Sequence, residues 1–354
     1  MASGHLIVNS GGCMRSRFVI VAIVALLLVG AVAPSALAQD ALGSEGNPIQ
    51  VYFVPSVEAG VIVSGGEVMA QALEAATGLK FEVFVPTSYA ATVEAMCAAP
   101  GSSMGFIPAA GYVIANNRCG VEVEAAAVRR GWPVYWAAYI ARRDSGIRTF
   151  NDLAGKSWAY PDAGSTSGYI FPSVELGLAG IEPGELVEAG SHNNVVTAVY
   201  NGEADFGTTF FSPPVGDFGP WSIGDDPEPY DLTVEDSYIG DDGNLYVGNL
   251  RILDARANIR ETAPDVIDAV KIVRLSAPIP NDTLSFGAEF PAELADQIVD
   301  ALIAFSETEE WAQSIGSEDF YGWSGLERVS PSLYDIVRSQ FDVLGLTEED
   351  VFGN

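Results

Sequence analysis

The sequence predicts an α/β protein, in which short β-strands alternate with amphipathic helices. Short apolar runs recur from residue 49 onward, each too brief for a helix of ordinary length. Between them lie segments in which apolar residues recur every three to four positions, as they do along one face of a helix. In residues 67–76 that face carries Val68, Met69, Ala72, Leu73 and Ala76, and Gly78 follows as a residue that commonly ends a helix.

The alternation runs twice along the chain. In the first run we predict strands at 49–54, 80–85 and 104–107, helices at 67–76, 89–98 and 109–117, and longer strands at 121–130 and 134–142. In the second run we predict strands at 157–160, 186–189 and 204–209 and helices at 169–178 and 194–201. Two similar lobes in series are therefore expected, with the first crossing between them near Arg142.

The last part of the chain is predicted to return to the first lobe. We predict a helix at 263–272, extended chain at 279–286 around Pro280, and a long amphipathic helix at 292–305. These elements divide the chain into lobe I, residues 46–141 plus 279–354, and lobe II, residues 142–278. The chain then crosses twice between the lobes, which provides a hinge.

Residues 213–244 depart from the alternation. They contain Gly, Pro and nine acidic residues, without a Lys or Arg. This composition predicts a solvated acidic excursion from the surface of lobe II. The run Asp241-Asp242-Gly243-Asn244 lacks the ligand spacing and the distal Glu of a calcium loop. No metal site or cofactor is predicted.

The N-terminus predicts export. Arg15 and Arg17 precede an apolar run at 18–33, and Ala36-Leu37-Ala38 follows it. A basic start, a short apolar core and a small-x-small cleavage site are typical of a secretory signal peptide. We therefore predict a signal peptide over residues 1–38 and delivery to the periplasm or another extracytoplasmic space. Met14 is an alternative start to Met1.

The charge balance excludes several partners. The chain has 17 basic and 47 acidic residues, and its leader holds two of the basic ones, so the exported part carries a formal charge of −32. Such a surface repels nucleic acids and anionic lipids. A small anion remains a compatible ligand, because exposed charges are screened beyond about 10 Å and a cleft can present neutral N–H and O–H donors.

Two cysteines follow the leader, Cys97 and Cys119. In an exported chain a disulfide between them is the simplest interpretation, and two free buried thiols are the alternative. Their spacing is not that of a CxxC motif, and no His lies beside them. Neither a redox nor a metal role is therefore predicted.

A glycine-flanked turn carries three hydroxyl side chains, Ser165, Thr166 and Ser167, between a predicted strand and a predicted helix. The first turn of a helix exposes unpaired N–H groups and the positive end of its dipole. The turn can therefore hold a tetrahedral oxyanion by neutral donors, without any Lys or Arg. An ordinary Ser/Thr cap on a Gly-rich turn is the alternative interpretation.

Further candidate donors lie at similar positions. His192, the only histidine after the leader, falls between a strand and a helix, where ligands bind in open α/β sheets. It is either a donor to an anion or a histidine near a helix start with no ligand. Tyr89 opens a helix and Tyr135 opens a strand, and a tyrosine hydroxyl can donate to an anion. Tyrosines at such places also serve simple packing.

Taken in order, several segments resemble the phosphonate/phosphite/phosphate periplasmic binding proteins of ABC importers. The resemblance runs from about residue 49 to the C-terminal helices, and single segments are weak while the ordered set is specific. The matching segments are TSYAA at 87–91, MGFIP at 104–108, RDSGI at 143–147, DLAGK at 152–156, GSTSGY at 164–169, AGSH at 189–192 and IPND at 279–282.

The resemblance implies a type II periplasmic-binding-protein fold, two Rossmann-like lobes that close on a ligand about a two-crossover hinge. It implies that Ser165, Thr166 and Ser167 hold the phosphorus oxygens. Tyr89 and Tyr135 would come from the other lobe and its boundary, and His192 from lobe II. The implied partner is the membrane permease of an ABC importer, and a monomer is expected.

The resemblance also bears on the ligand. Members that bind an aminoalkylphosphonate place carboxylates around its ammonium group; Asp282 matches one such position, but the other falls near Ser212. This favours phosphate, phosphite or methylphosphonate. The alternatives are another anion such as a sulfonate or nitrate, a sensor-coupled receptor, and an enzyme on the same scaffold that uses His192, although no common catalytic motif is present.

Overall fold

A computed structural model describes residues 1, 40–216, 221–233, 236–345, 347 and 349. The predicted signal peptide at 1–38 lies outside these residues except for Met1. Within the described ranges, no helix is long and apolar enough to cross a membrane.

The first part of the chain alternates strands and helices as predicted. The elements are β1 (Ile49–Phe53), α1 (Ala59–Thr77), β2 (Phe81–Phe84), α2 (Tyr89–Ala98), β3 (Ser103–Ile107), α3 (Ala109–Cys119) and β4 (Glu122–Arg129). Strand β1 pairs in parallel with β2 and β3. Helix α1 begins well before the predicted residue 67. The prediction missed its first part because that part contains Gly65 and Gly66, and glycine is unfavourable within a helix. A side chain at either glycine would collide with Phe320 or Val83, so these glycines let the helix approach its neighbours closely.

The middle of the chain forms a second sheet. Its elements are β5 (Val134–Arg142), β6 (Trp158–Tyr160), a π-helical turn (Thr166–Ile170), α4 (Phe171–Leu178), β7 (Leu186–Glu188), α5 (His192–Asn201) and β8 (Phe206–Phe211). A small sheet follows, made of β9 (Ser237–Ile239), β10 (Leu245–Val247) and β11 (Leu250–Arg251).

The remaining elements complete both large sheets. They are α6 (Val266–Ala269), β12 (Val270–Leu275), β13 (Ile279–Pro280), β14 (Thr283–Phe286), α7 (Ala292–Phe305), β15 (Trp323–Arg328) and α8 (Asp335–Leu344). The first sheet has the order β15-β4-β14-β3-β1-β2 and the second β12-β5-β8-β6-β7, with β13 paired to β5. We call the elements around these two sheets the first and the second lobe.

The sheets correct the predicted boundary near Arg142. Strand β5, which the prediction put in lobe I, pairs with β8 and β12 of the second sheet. The first crossing therefore lies between β4 and β5, and the second lies between β13 and β14. Sequence patterning missed this because β5 is an apolar strand that suits the core of either lobe.

Two further predictions are wrong. Residues 263–272 were expected to be one helix, but α6 is short and residue 270 begins β12, which runs antiparallel to β5. The β-branched residues Val270, Ile272 and Val273 favour the strand once a partner is available.

The described part of 213–244 is not a purely solvated loop. Trp221 is buried against Trp136, with 5.1 Å between ring centroids. Glu228 pairs with Arg143 and Arg256, and their charges lower its pKa below the ordinary value although burial alone would raise it. The excursion is therefore anchored to the second lobe.

One apolar cluster joins the two lobes. It contains Tyr112 and Tyr334 from the first lobe and Ile170 and Phe171 from the second, and all four are buried. Since these side chains are removed from water only where the lobes meet, the structure is a closed form of the cleft.

Candidate functional site

A small cavity lies between the lobes. It provides a volume of about 30 Å³ for the centres of water-sized spheres, which is room for a group of a few heavy atoms. Its walls come from both lobes and are Val54, Ser56, Val57, Tyr89, Pro108, Arg129, Tyr135, Ser165, Ser167, His192, Phe210, Asp282, Phe320 and Tyr321. Six of the seven ligand-binding residues predicted from sequence therefore lie on one cavity.

The second lobe contributes the glycine-flanked turn. Ser165 precedes the π-helical turn, and its hydroxyl accepts a hydrogen bond from the Gly168 N–H at 3.1 Å. Ser165 and Ser167 are buried and face the cavity. Helix α4 follows directly, so the positive end of its dipole lies near this wall. The turn thus combines hydroxyl donors with a favourable field for an anion.

His192 lies beside this turn. Its Nε2 is 3.4 Å from the Ser165 hydroxyl and its Nδ1 is 2.9 Å from the Thr209 hydroxyl. Burial, with a smaller contribution from the charge of Arg129, lowers the pKa of His192 to about 3. The imidazole is therefore neutral at physiological pH, and it can donate one N–H but adds no charge.

The two predicted tyrosines lie on opposite sides of the cavity. Tyr89 begins α2 in the first lobe, and Tyr135 lies on β5 in the second. Both are buried. Burial raises the pKa of each phenol, and the nearby charge of Asp162 for Tyr89 and of Asp282 for Tyr135 adds to the effect. Both hydroxyls therefore stay protonated and remain hydrogen-bond donors.

Thr166 differs from its neighbours. Its hydroxyl accepts a hydrogen bond of 2.9 Å from the N–H of Ala110, in the first turn of α3 in the other lobe. It does not contribute to the cavity wall. The structure thus places Thr166 at a contact between the lobes, and it brings Ser165 and Ser167, but not Thr166, to the cavity.

Arg129 is the main residue that sequence reasoning missed. It ends β4 and is only 7% exposed. Its guanidinium lies over the rings of Tyr135 and Phe210, 5.3 and 5.0 Å from their centroids. Among the described residues, no carboxylate lies within the 4.0 Å of an ion pair from it. The cavity therefore contains a cationic side chain beside the neutral donors that the sequence predicted.

Two hydroxyls on the first-lobe side were also missed. The side-chain oxygens of Ser56 and Tyr321 are buried, and neither makes a well-formed hydrogen bond within the described chain. Both residues line the cavity. A buried polar group without a partner costs about 1–3 kcal/mol. No local sequence signal marks them, because Ser56 lies in a loop and Tyr321 comes from a distant segment.

Asp282 is the one carboxylate among the described residues that line the cavity. It lies at the second crossing, between β13 and β14. Burial raises its pKa, and the charge of Arg129 acts in the opposite direction. The cavity therefore offers one acceptor among many donors.

Within the described ranges, three backbone N–H groups near the cavity donate hydrogen bonds from one lobe to the other. The Tyr89 N–H donates to the Asp162 carboxylate at 3.3 Å, the Ala110 N–H donates to Thr166, and the His192 N–H donates to the Ser56 carbonyl at 3.3 Å. All three donors lie in the first turn of a helix, where N–H groups have no partner within the helix.

The predicted disulfide is present. Cys97 and Cys119 are bonded, with 5.6 Å between their Cα atoms. The bond joins the last turns of α2 and α3, the two helices whose first turns contact the second lobe.

Comparison with known proteins agrees with this architecture. Residues 51–334 match the model of a family described as ABC transporter, phosphonate, periplasmic substrate-binding protein. The phosphate-import protein PhnD of Mycolicibacterium smegmatis is 30% identical over 183 residues, which cover 47% of this chain and 57% of that protein. The aligned part thus spans little more than half of the relative.

Solved structures show the same fold. A binding protein component of an ABC phosphonate transporter from Pseudomonas aeruginosa aligns with a TM-score of 0.64 at 17% identity, over 85% of this chain and 90% of that one. PhnD1 of Prochlorococcus marinus, solved with methylphosphonate, aligns with a TM-score of 0.63 at 12% identity, over 84% and 98%.

The alignments confirm the predicted two-lobed periplasmic-binding-protein fold. The family match extends over most of the chain and includes both crossings and every residue of the cavity wall. The chain belongs to the family of periplasmic phosphonate-binding proteins of ABC transporters.

Proposed function

We propose that this protein captures a small tetrahedral phosphorus oxyanion, namely phosphate, phosphite or an alkylphosphonate, and delivers it to the permease of an ABC importer. One observation carries the proposal. Arg129, which has no ion-pair partner among the described residues, and the hydroxyls of Ser56 and Tyr321, which make no well-formed hydrogen bond, converge on one small cavity that the closed lobes surround. An anion with several oxygens supplies the acceptors that these donors lack.

The proposed ligand contacts come from both lobes. Ser165, Ser167 and His192 would donate from the second lobe, together with Tyr135 on its first strand. Arg129, Ser56, Tyr89 and Tyr321 would donate from the first. Because the ligand contacts both lobes only when they close, its binding energy shifts the open and closed populations towards the closed form.

Asp282 gives the site a means of selection. A carboxylate in the cavity accepts a hydrogen bond from a protonated oxygen, which hydrogen phosphate and hydrogen phosphonate carry. Sulfate has no proton near neutral pH and would face the carboxylate with two like charges. We therefore propose that phosphorus oxyanions are preferred over sulfate.

A catalytic role has less support. The Nδ1 atom of His192 faces the Thr209 hydroxyl, not a carboxylate that would orient it as a general base. The low pKa of the imidazole also disfavours proton uptake near neutral pH. We propose a binding function without catalysis, in an exported monomer whose lobes are connected by residues 130–133 and 281–282.

Calorimetric titration tests the proposal. The protein, freed of ligand by unfolding and refolding, is titrated with phosphate, phosphite, methylphosphonate, 2-aminoethylphosphonate, sulfate and nitrate at fixed salt. Saturable binding of a phosphorus oxyanion that Asp282→Asn weakens is the expected result. Preference for sulfate or nitrate would assign the site to another anion, and no heat with any ligand would reject the proposal.

A further inference from the structure

A second cavity adjoins the first. Both cavities are lined by Arg129, Phe210, Phe320 and Tyr321. The second provides about 20 Å³ for the centres of water-sized spheres. Four of the 17 basic residues of the chain, Arg129, Arg130, Arg251 and Arg260, line it. This is an unusual concentration of cations in a protein with a net charge of −30.

Only part of this positive charge is balanced locally. Arg130 and Arg251 both pair with the single carboxylate of Glu318. The carboxylate of Asp254 also lines the cavity, but both of its oxygens bind Arg256. Arg129 has no ion-pair partner among the described residues. Asp319 also lines the cavity and pairs with Arg260. Four arginines thus face three carboxylates, one of which is bound by Arg256, so the cavity carries an excess of positive charge.

Arg251 has unused donor capacity as well. Its Nη2 donates to the Asn244 side chain and lies 3.4 Å from Glu318, while its Nε is buried without a hydrogen-bond partner. Arg260 differs in this respect: its three nitrogens donate to the Gly243 carbonyl, the Ala257 carbonyl and the Asp319 carboxylate. Of these two cavity-lining arginines, only Arg251 has a buried nitrogen without a hydrogen-bond partner among the described residues.

We propose that the second cavity binds an anionic substituent of the phosphorus ligand. This inference rests on the proposed function and refines it. The phosphorus oxyanion occupies the first cavity, a carboxylate or second phosphoryl group one or two bonds away reaches into the second, and Arg129, which lines both cavities, faces both charges. The ligand class is then a phosphonate that carries a second anionic group.

The test compares three ligands with the same phosphonate group. Methylphosphonate has no substituent, phosphonoacetate adds a carboxylate, and 2-oxopropylphosphonate adds a neutral group of the same size. Their dissociation constants are measured by calorimetry at fixed salt. We expect the protein to prefer phosphonoacetate over 2-oxopropylphosphonate by about tenfold or more, the effect of one charge-assisted hydrogen bond.

Two variants assign the preference. Arg251→Gln should abolish it, whereas Arg328→Gln should keep it, because Arg328 pairs with Asp296 and Asp300 and lines neither cavity. The ratio of the two constants is the readout, because a general loss of closure weakens both ligands equally. Equal binding of the charged and neutral ligands, or an unchanged ratio in Arg251→Gln, overturns the inference.

The outcomes separate this inference from the proposed function. Tight binding of methylphosphonate without any gain from the carboxylate leaves the proposed function intact and rejects only the second subsite. Failure of every phosphorus oxyanion to bind rejects both. A chloride-dependent gain for methylphosphonate that Arg251→Gln removes would show a separate ion in the second cavity, and would also overturn the inference.

Discussion

The two walls of the cavity differ in how their polar groups are satisfied. On the second-lobe wall, Ser165 and His192 already have partners, in Gly168 and Thr209. On the first-lobe wall, Arg129 has no ion-pair partner among the described residues, and the hydroxyls of Ser56 and Tyr321 have no well-formed hydrogen bond. The polar groups named on the second-lobe wall are therefore held by hydrogen bonds within their own lobe. Those named on the first-lobe wall need a ligand to supply their acceptors.

We infer from this difference that the two walls act at different stages of binding. The second-lobe wall is preorganised, so an anion can dock there without a cost of ordering the donors. The first-lobe wall gains most when the cleft closes, since its unpaired groups find acceptors only then. The contrast can be tested by changing each wall in turn.

The largest effect is expected for Arg129→Gln. This change removes the one cationic side chain that the described residues place on the first cavity, and truncating one partner of a buried charge pair costs about 2–5 kcal/mol. Binding of phosphate or methylphosphonate should weaken by roughly 100-fold or more, as measured by calorimetry. Arg130→Gln is the matched control, because Arg130 is paired with Glu318 and lies outside the first cavity. Normal binding by Arg129→Gln would contradict the proposed role.

The second prediction concerns pH and His192. Its folded pKa is about 3, against 6.5 for the free side chain. Between these values the unfolded chain binds a proton that the folded protein does not, so stability falls as pH falls through this window. At pH 5 the loss is about 2 kcal/mol relative to pH 8.

Urea unfolding at both pH values measures this loss, and His192→Gln is the control that shares every other titrating group. The wild-type protein should lose more stability than the variant on acidification. Equal losses would show that the imidazole titrates normally. Imidazole chemical shifts, assigned with the same variant, should remain those of a neutral ring at pH 5.

The third prediction separates two adjacent hydroxyls. Ser167→Ala removes a donor to the ligand and should weaken phosphate or methylphosphonate binding by about tenfold. Thr166→Val removes the acceptor for Ala110 N–H and should lower the free energy of unfolding by about 1 kcal/mol. Its effect on binding should be smaller. The reverse order of effects on binding would make Thr166 the ligand contact.

The smallest effect is expected for Tyr321→Phe. The change removes a buried hydroxyl that lacks a well-formed partner, so the ligand-free protein should become more stable by about 1 kcal/mol. Ligand binding should weaken at the same time. Thermal unfolding with and without ligand measures both, and Ser56→Ala should behave in the same way. Lower stability without ligand would mean that the hydroxyl already has a partner.

Local sequence patterns predicted much of the fold. Helix α2 at 89–98, strand β5 at 134–142 and helix α7 at 292–305 have the predicted bounds, because each has strong periodicity and clear end signals. Residues 263–272 were mispredicted because their helical spacing is local, whereas the pairing of β12 with β5 is not. The same limit applies to Trp221, whose partners lie far along the chain.

In the candidate site, too, residues within a short motif could be predicted and residues brought together by the fold could not. Ser165, Ser167 and His192 could be predicted because each lies between a strand and a helix within one short motif. Arg129 could not, since it reads as an ordinary charge at the end of a strand, and its place in the cavity depends on the closure of both lobes. Ser56 and Tyr321 meet only because residues far apart in sequence fold into one lobe.

The disulfide between Cys97 and Cys119 joins the last turns of α2 and α3. The first turns of the same helices donate hydrogen bonds to Asp162 and Thr166 of the second lobe. The bond therefore holds the two helices in a fixed position relative to each other. When the cleft opens, the hydrogen bonds to Asp162 and Thr166 must break together, since neither helix can slide independently of the other. Reduction of the disulfide would remove this link. The hydrogen bonds to Asp162 and Thr166 could then break in two separate steps instead of one.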